Sequence, residues 1–288
     1  MALSERQIEQ IAEAVIAELS ARGVISEENT GNENTLQETD ITSAEAKSQP
    51  LLEHPLDRRA LDQMMRRTTA RIGAGKAGPR LKTRTLLALR ADHATARDAV
   101  MLDVDQKVLD SLGLFSVQTC CGDKNEFLTR PDLGRKLDDA GTETVRTQCV
   151  SDPDVQICVA DGLSSTAINA NLRNILPALM DSLRSRNLKV GTPFFIRYGR
   201  VAVEDQISEI LGAKVVCIFV GERPGLGTAE SMSAYIAYEA RVGMPEARRT
   251  VVSNIHKDGI SAVEAGAYMA DLICEILDRK ASGVDLKH

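Results

Sequence analysis

Val155-Gln-Ile-Cys-Val-Ala-Asp161-Gly162-Leu163-Ser164 is the stretch on which the fold turns. Its first six residues read as a buried strand. Asp161 and Gly162 then turn the chain, and Ser164 or Ser165 can cap a helix. Along that helix Ile168, Leu172, Ile175, Leu179 and Leu183 recur at helical spacing. Pro177 falls inside the period and is expected to kink or split the helix. The alternation continues outward. Pro193–Ile196 is the next strand candidate, and Val203, Ile207, Ile210 and Leu211 mark a short helix stopped by Gly212. Val215–Val220 is a strong β run, and Ala234–Tyr238 and Thr250–Ile255 are two more. Met269, Leu272, Ile273, Ile276 and Leu277 define a last helix ended by Ser282-Gly283. Strands alternating with helices from about residue 104 predict an α/β domain, a mainly parallel sheet flanked by helices.

With 288 residues, 43% of them apolar, the chain can build one large or two small domains around a sizeable core. No apolar run approaches a membrane span. Aromatics make up only 3% and Trp is absent, which argues against a base-stacking surface, and the net charge of -6 argues against a general polyanion binder. Neither a membrane nor a nucleic-acid partner is expected. The six cysteines contain no CxxC pair; Cys158, Cys217 and Cys274 lie in apolar runs and read as core residues. Cys120-Cys121 reads as two free thiols in a turn, with a redox role as the alternative. Four scattered His make a structural zinc site improbable, so no metal ligands are assigned. The polar, charged N-terminus carries no secretory signal, which favours a reduced intracellular setting.

Three regions follow. In residues 1–50, Ser4 and Gln7 can form a capping box, and Ile8, Ile11, Val15, Ile16 and Leu19 make one apolar stripe over a helix at 4–22 that Gly23 ends. Residues 26–50 are polar and acidic and read as a flexible linker. Two readings stay open: an arm that docks on its own protein, or an address helix for another protein's groove. Residues 51–103 read as a basic helical segment, with Leu61, Met64, Met65, Thr68 and Ile72 on the helical period. Docking to an acidic protein surface is favoured over nucleic acid, and a solvated face is the bland alternative. Residues 104–288 are the α/β domain.

Gly73-Ala-Gly-Lys-Ala-Gly78 matches GxGxxG, but a helix precedes it where a dinucleotide fold needs a strand, so it reads as a Gly-rich joint. Gly221-Glu-Arg-Pro-Gly-Leu-Gly227 follows a buried strand, and its glycines allow a bulky ligand to approach the backbone. Glu222 is an acceptor placed for amide or hydroxyl donors; the plain alternative is a turn carboxylate paired with Arg223. Arg197, Tyr198 and Arg200 leave the preceding strand on the same sheet edge, where one Arg could neutralise a phosphodiester. Backbone N–H groups after Asp161 could hold a phosphate or an amide oxygen. His256, just past a strand, reads as a hydrogen-bonded loop residue.

The blocks Arg71-Ile-Gly-Ala-Gly-Lys-Ala-Gly-Pro79, Leu128-Thr-Arg-Pro-Asp132, Asp161-Gly-Leu-Ser164, Val190-Gly-Thr-Pro-Phe-Phe195, Arg197-Tyr-Gly-Arg-Val201, Gly221-Glu-Arg-Pro-Gly-Leu-Gly227, Ser253-Asn-Ile-His256 and Lys280-Ala-Ser-Gly283, in this order, resemble the small subunit of ethanolamine ammonia-lyase. The resemblance runs from about residue 50 to the C-terminus. It implies a Rossmann-like domain that holds adenosylcobalamin, base-on, against a large subunit. That subunit would bind ethanolamine and host the radical reaction giving acetaldehyde and ammonia. The chain has no Asp-x-His-x-x-Gly motif that would supply a His to cobalt, which agrees with the base-on state. No catalytic residue is assigned to this chain, which the resemblance implies is inactive alone. Val201 and Glu222 match the family's cobalamin contacts. A third contact, a Cys shortly before the Ser-Asn-Ile-His block, is Val251 here, which suits a backbone or van der Waals contact. Arg200, Asp161, Ser164 and Gly225 are added from their placement on the same sheet edge. The resemblance also makes the N-terminal helix similar to an encapsulation signal for a bacterial microcompartment in the cytoplasm.

Two other classes compete: a non-catalytic scaffold or adaptor of a microcompartment, and a nucleotide-cofactor oxidoreductase, for which the GxGxxG context is missing.

Overall fold

A computed structural model describes Glu18, residues 40–41 and residues 43–286. The helix expected at 4–22 lies outside the described residues apart from Glu18. Thr42–His288 forms one compact unit.

The unit opens with helices α1 (Ala44–Ser48) and α2 (Arg58–Met65). A small antiparallel hairpin follows, β1 (Lys76–Ala77) and β2 (Arg80–Leu81), and then α3 (Thr83–Met101). The short α1, capped by Ser43, falls within the stretch read as linker. Helix α2 is N-capped by Asp57 and stops at Met65, so Thr68 and Ile72 are not on it as the period suggested. The Thr68 hydroxyl instead accepts the Ala70 N–H at 3.1 Å, a local bond that competes with helix. The Gly-rich joint is the β1–β2 hairpin, turned at Gly78 with φ 59°.

Beyond it run α4 (Gln106–Ser111), β3 (Phe115–Gln118), α5 (Lys124–Thr129), α6 (Asp139–Gln148), β4 (Val155–Ala160) and α7 (Ser165–Ser185). The chain then passes through β5 (Phe194–Arg197), α8 (Val203–Leu211), β6 (Val215–Gly221), β7 (Met232–Tyr238), β8 (Thr250–Ile255) and α9 (Ala262–Arg279). The six-stranded sheet has the order β3-β5-β4-β6-β7-β8. Its first four strands are parallel, and β7 and β8 run antiparallel. The arrangement is α/β and Rossmann-like.

Both faces are covered. Helices α7 and α9 pack with Ile157, Val159, Cys217 and Phe219 on one face. Helices α6 and α8 pack with Cys158, Ile196, Val216 and Ile218 on the other. Residues Val155–Ala160 and Val215–Gly221 are buried throughout, as two-sided strands must be. Cys158 and Cys217 are core residues as expected, whereas Cys274 is only half-buried.

Two expectations about helix ends need correction. Helix α7 is one element, not split by Pro177. The proline is exposed, as is Arg173 one turn back, so the carbonyl deprived of its N–H partner meets water. Helix α9 ends at Arg279, where Lys280 takes the left-handed conformation at φ 52°. Ser282 does other work: its hydroxyl donates to the Arg248 carbonyl at 2.5 Å and accepts the Tyr238 N–H at 3.0 Å, clasping the C-terminus to β7.

Candidate functional site

The carboxyl ends of β3, β4, β5 and β6 share one edge, joined there by the start of β7 (Met232 pairs with Gly221) and the end of β8 (Ile255 pairs with Met232). Helices α7 and α8 leave adjacent strands β4 and β5 onto opposite faces, which opens the crevice that binds ligands in such sheets. Here the crevice is filled from within. The carboxylate of Asp161 accepts the N–H groups of Gly162 (3.0 Å), Tyr198 (3.0 Å) and Gly199 (3.1 Å), and the Lys124 ammonium stands 3.4 Å away. Burial pushes the Asp161 carboxyl up, against the pull of Lys124 and the two loop N–H groups. These bonds also hold Tyr198 in the left-handed region at φ 59°.

Ser164 caps α7 by accepting the Ala167 N–H at 3.1 Å and donates to the Ala229 carbonyl at 2.6 Å. The N–H groups of Gly162, Leu163 and Ser164 are bonded to Asp161 or Gly221. A phosphate or amide oxygen near Asp161 would need donors other than these three N–H groups. Asp161 and Ser164 hold the edge together rather than face outward.

The exposed chemistry lies towards β7 and β8. Glu222 is half-buried, and its Oε1 accepts the Ser233 hydroxyl at 2.6 Å and the Asn254 N–H at 3.0 Å. Burial raises its carboxyl, but these donors outweigh that and hold it below the usual carboxylate range. Glu222 thus stays ionised at neutral pH, and among the described residues it makes no ion pair with Arg223. Asn254 stands at φ 62°, and its Oδ1 meets His256 Nε2 at 2.8 Å. His256 Nδ1 accepts the Asp258 N–H at 3.3 Å, so Nε2 carries the proton. It is a loop-fixing residue, as read.

Val201 opens the turn into α8 and packs with Tyr235 against the α8-side core. Val251 is opposite Tyr235 in the β7–β8 pairing, and its neighbour Val252 points into the other face. Val201, Tyr235 and Val251 therefore share one face of the sheet, and Val251 is 44% exposed. Glu222 bonds Ser233 on the same face. Gly225 sits exposed in the loop after β6, its N–H on the Thr228 carbonyl at 3.1 Å. Arg200 closes the other side. Its Nη2 donates to the Phe127 carbonyl at 2.8 Å, and its guanidinium lies 4.2 Å over the Phe127 ring.

Arg249 was not anticipated. This guanidinium just before β8 is almost wholly buried and pairs with Asp205 through two bonds of 2.8 and 3.0 Å, with Glu204, and with Glu246 at 2.7 Å. Glu204 and Asp205 belong to the first turn of α8, so Arg249 ties the turn bearing Val201 to the strand bearing Val251. Burial drives the Glu204 carboxyl well up despite Arg249. One buried atom at the edge, Arg200 Nε, has no hydrogen-bond partner among the described residues.

The molecule is an open-sheet α/β domain whose switch-point crevice holds its own Asp161 carboxylate, with the half-buried Glu222 and the exposed Val251 beside it. The family model of the ethanolamine ammonia-lyase light chain (EutC) matches residues 58–287. Curated proteins named ethanolamine ammonia-lyase small subunit are similar along most of their length. That of Clostridium tetani is 54% identical over 86% of this chain and 84% of its own, and that of Clostridium perfringens 48% identical over 97% of each. That of Fusobacterium nucleatum is 46% identical over 99% of each chain. The chain belongs to the ethanolamine ammonia-lyase small-subunit family.

Proposed function

We propose that this chain works with a large subunit as the cofactor-holding part of an ethanolamine ammonia-lyase, with adenosylcobalamin held between the two, base-on. When bound, the cofactor supplies the radical that takes hydrogen from ethanolamine on the way to acetaldehyde and ammonia. This chain's part is to hold and orient. A corrin is broad, apolar-faced and fringed with amides. One face of the sheet offers Val201 and Val251 as apolar contacts and the Glu222 carboxylate as an acceptor for amide N–H groups. The unpartnered Arg200 Nε suits a ligand rich in carbonyl and phosphate oxygens. Gly225 gives the adjoining loop a side-chain-free surface. Asp161 and Ser164 contribute by fixing the edge that carries these groups.

The observation that carries the reading is the ionised Glu222 on a face shared by Val201 and Val251. Co-expression with a large subunit, followed by adenosylcobalamin and ethanolamine, is expected to release acetaldehyde only from the mixture. Glu222→Gln keeps the size and removes the charge, and it is expected to weaken cofactor binding about tenfold. A well-assembled but inactive wild-type mixture would move the scaffold reading to the front.

The basic segment suits docking to the large subunit. Arg59, Arg66, Arg67, Arg90 and Arg97 are exposed there. The N-terminal helix is assigned to shell attachment in a microcompartment. Removing residues 1–22 is expected to leave the activity of the complex intact and abolish sedimentation with shells. Lost activity in a normally assembled truncation would refute that assignment.

A further inference from the structure

Asn254 holds its left-handed conformation, φ 62°, inside β8. The other described non-glycine residues with positive φ, such as Asn187 and Lys280, lie outside helices and strands. A strand interior gives a residue with a side chain no reason of its own to adopt that conformation. The reason is in the pairing. Ala234 is opposite Val252 and Met232 is opposite Ile255, so Ser233 faces two residues, Ser253 and Asn254. The extra residue makes a β-bulge at the rim of the sheet, the kind of irregularity that re-aims a group beside a site.

Here the group re-aimed is an N–H. The backbone N–H of Asn254 donates to Glu222 Oε1 at 3.0 Å, and Ser233, across the bulge, gives its hydroxyl to the same oxygen at 2.6 Å. One donor from each strand fixes the orientation of the carboxylate. The bulge is itself held from behind. Asn254 Oδ1 accepts the His256 Nε2 proton at 2.8 Å, and the Asn254 carbonyl accepts the Ile260 N–H at 2.9 Å. His256 accepts the Asp258 N–H on its ring and the Gly259 N–H, at 3.0 Å, on its carbonyl. A Cβ on Gly259 would overlap the Asn254 carbonyl oxygen, so the 256–260 loop closes on the bulge with glycine there.

We infer that Asn254 is a positioning residue for Glu222, and that the left-handed bulge exists to aim its N–H at that carboxylate. The inference rests on the cofactor reading above and adds to it what orients the acceptor. Asparagine suits both demands. It tolerates the left-handed region, and its side chain supplies the oxygen that His256 grips. Asn254 acts through Glu222 and needs no contact with the ligand.

The test measures adenosylcobalamin binding to the assembled complex with the large subunit, read from the visible absorption of the bound corrinoid and independently of turnover. Asn254→Ala strains the bulge and is expected to weaken binding about tenfold. Asn254→Gly keeps the left-handed conformation without strain and should stay within about threefold of wild type. In a Glu222→Ala background no carboxylate remains to be aimed, so Asn254→Ala should cost less than about twofold more. Asn254→Ser strains the same φ and takes the place of Asn254→Ala if that complex does not assemble, with the same pattern expected. Equal losses for the Ala and Gly variants, no loss for either, or an undiminished loss in the Glu222→Ala background would overturn the positioning role and leave the cofactor reading standing. A wild-type complex that binds no corrinoid, or a Glu222→Ala complex that binds it like wild type, overturns the cofactor reading of Glu222 and this role with it.

Discussion

Arg249→Met is expected to destabilise the α/β unit by about 3–5 kcal/mol, the range for removing one partner of a buried ion pair. The methionine fills much of the space of the arginine stem, so the loss reports the charge. Glu204 and Asp205 are both buried, and each would lose its guanidinium donor. The pH dependence has a definite sign. Both carboxyls already stand above their usual range through burial, with Arg249 pulling them down. Without Arg249 they rise further. A carboxyl raised in the folded state favours folding below its unfolded pKa, and that contribution is lost as pH climbs through the folded value. The deficit of the variant should therefore be smaller near pH 5 than near pH 8. Urea midpoints at the two values test this, and a deficit independent of pH would show that the pair is not the cause. The same variant should loosen the register between Val201 and Val251, since the guanidinium joins α8 to β8.

Gly221→Ala is the second change with a large expected effect. A Cβ on Gly221 would overlap the Ser164 carbonyl oxygen and stand 2.7 Å from that of Asp161. Both obstacles are backbone, held by the Asp161 turn and the α7 cap, so neither can swing aside. Gly162 faces it with φ 57° and its own clash against the Gly221 carbonyl, so the two glycines let β6 pass directly against the β4 turn. The cost should reach the top of the ~1–3 kcal/mol range for overpacking, or exceed it. It should also displace Glu222, the next residue. Gly225→Ala is the control. The nearest atom to its Cβ is 4.0 Å away and its φ is not positive, so stability should hold within about 0.5 kcal/mol. Similar denaturation midpoints for the two variants would refute the close-approach argument.

The long apolar strands were legible because burial on both faces leaves a continuous hydrophobic run. That is how Val155–Ala160 and Val215–Gly221 were found. Strand β3, Phe115-Ser-Val-Gln118, was not found. It is a four-residue edge strand with polar Ser and Gln at alternate positions, too short for a period to stand out. Glu222 was readable as an acceptor from its place after a strand. Its donors were not, because Ser233 and Asn254 arrive from strands 11 and 32 residues later. Arg249 was hidden for the same reason: Glu204 lies 45 residues before it, and nothing local marks an arginine as buried. Glu204 itself is one residue from Val203 and three from Ile207, so its nearness to the apolar face could have been noticed. What Asp161 does was also out of reach. A carboxylate at a strand end looks like a ligand contact until the loop that it grips, 37 residues on, is folded against it.

That grip has a consequence for how recognition proceeds. A switch-point crevice that already holds its own carboxylate needs no closing movement to order it. The surface is set before any visitor comes, as a casting mould is set before the pour. On the reading proposed above, little ordering entropy remains to be lost on this side, so binding strength would depend on shape match and on the second wall brought by a partner. Such a mould alone should grip weakly and release quickly, and retention should become a property of the closed assembly.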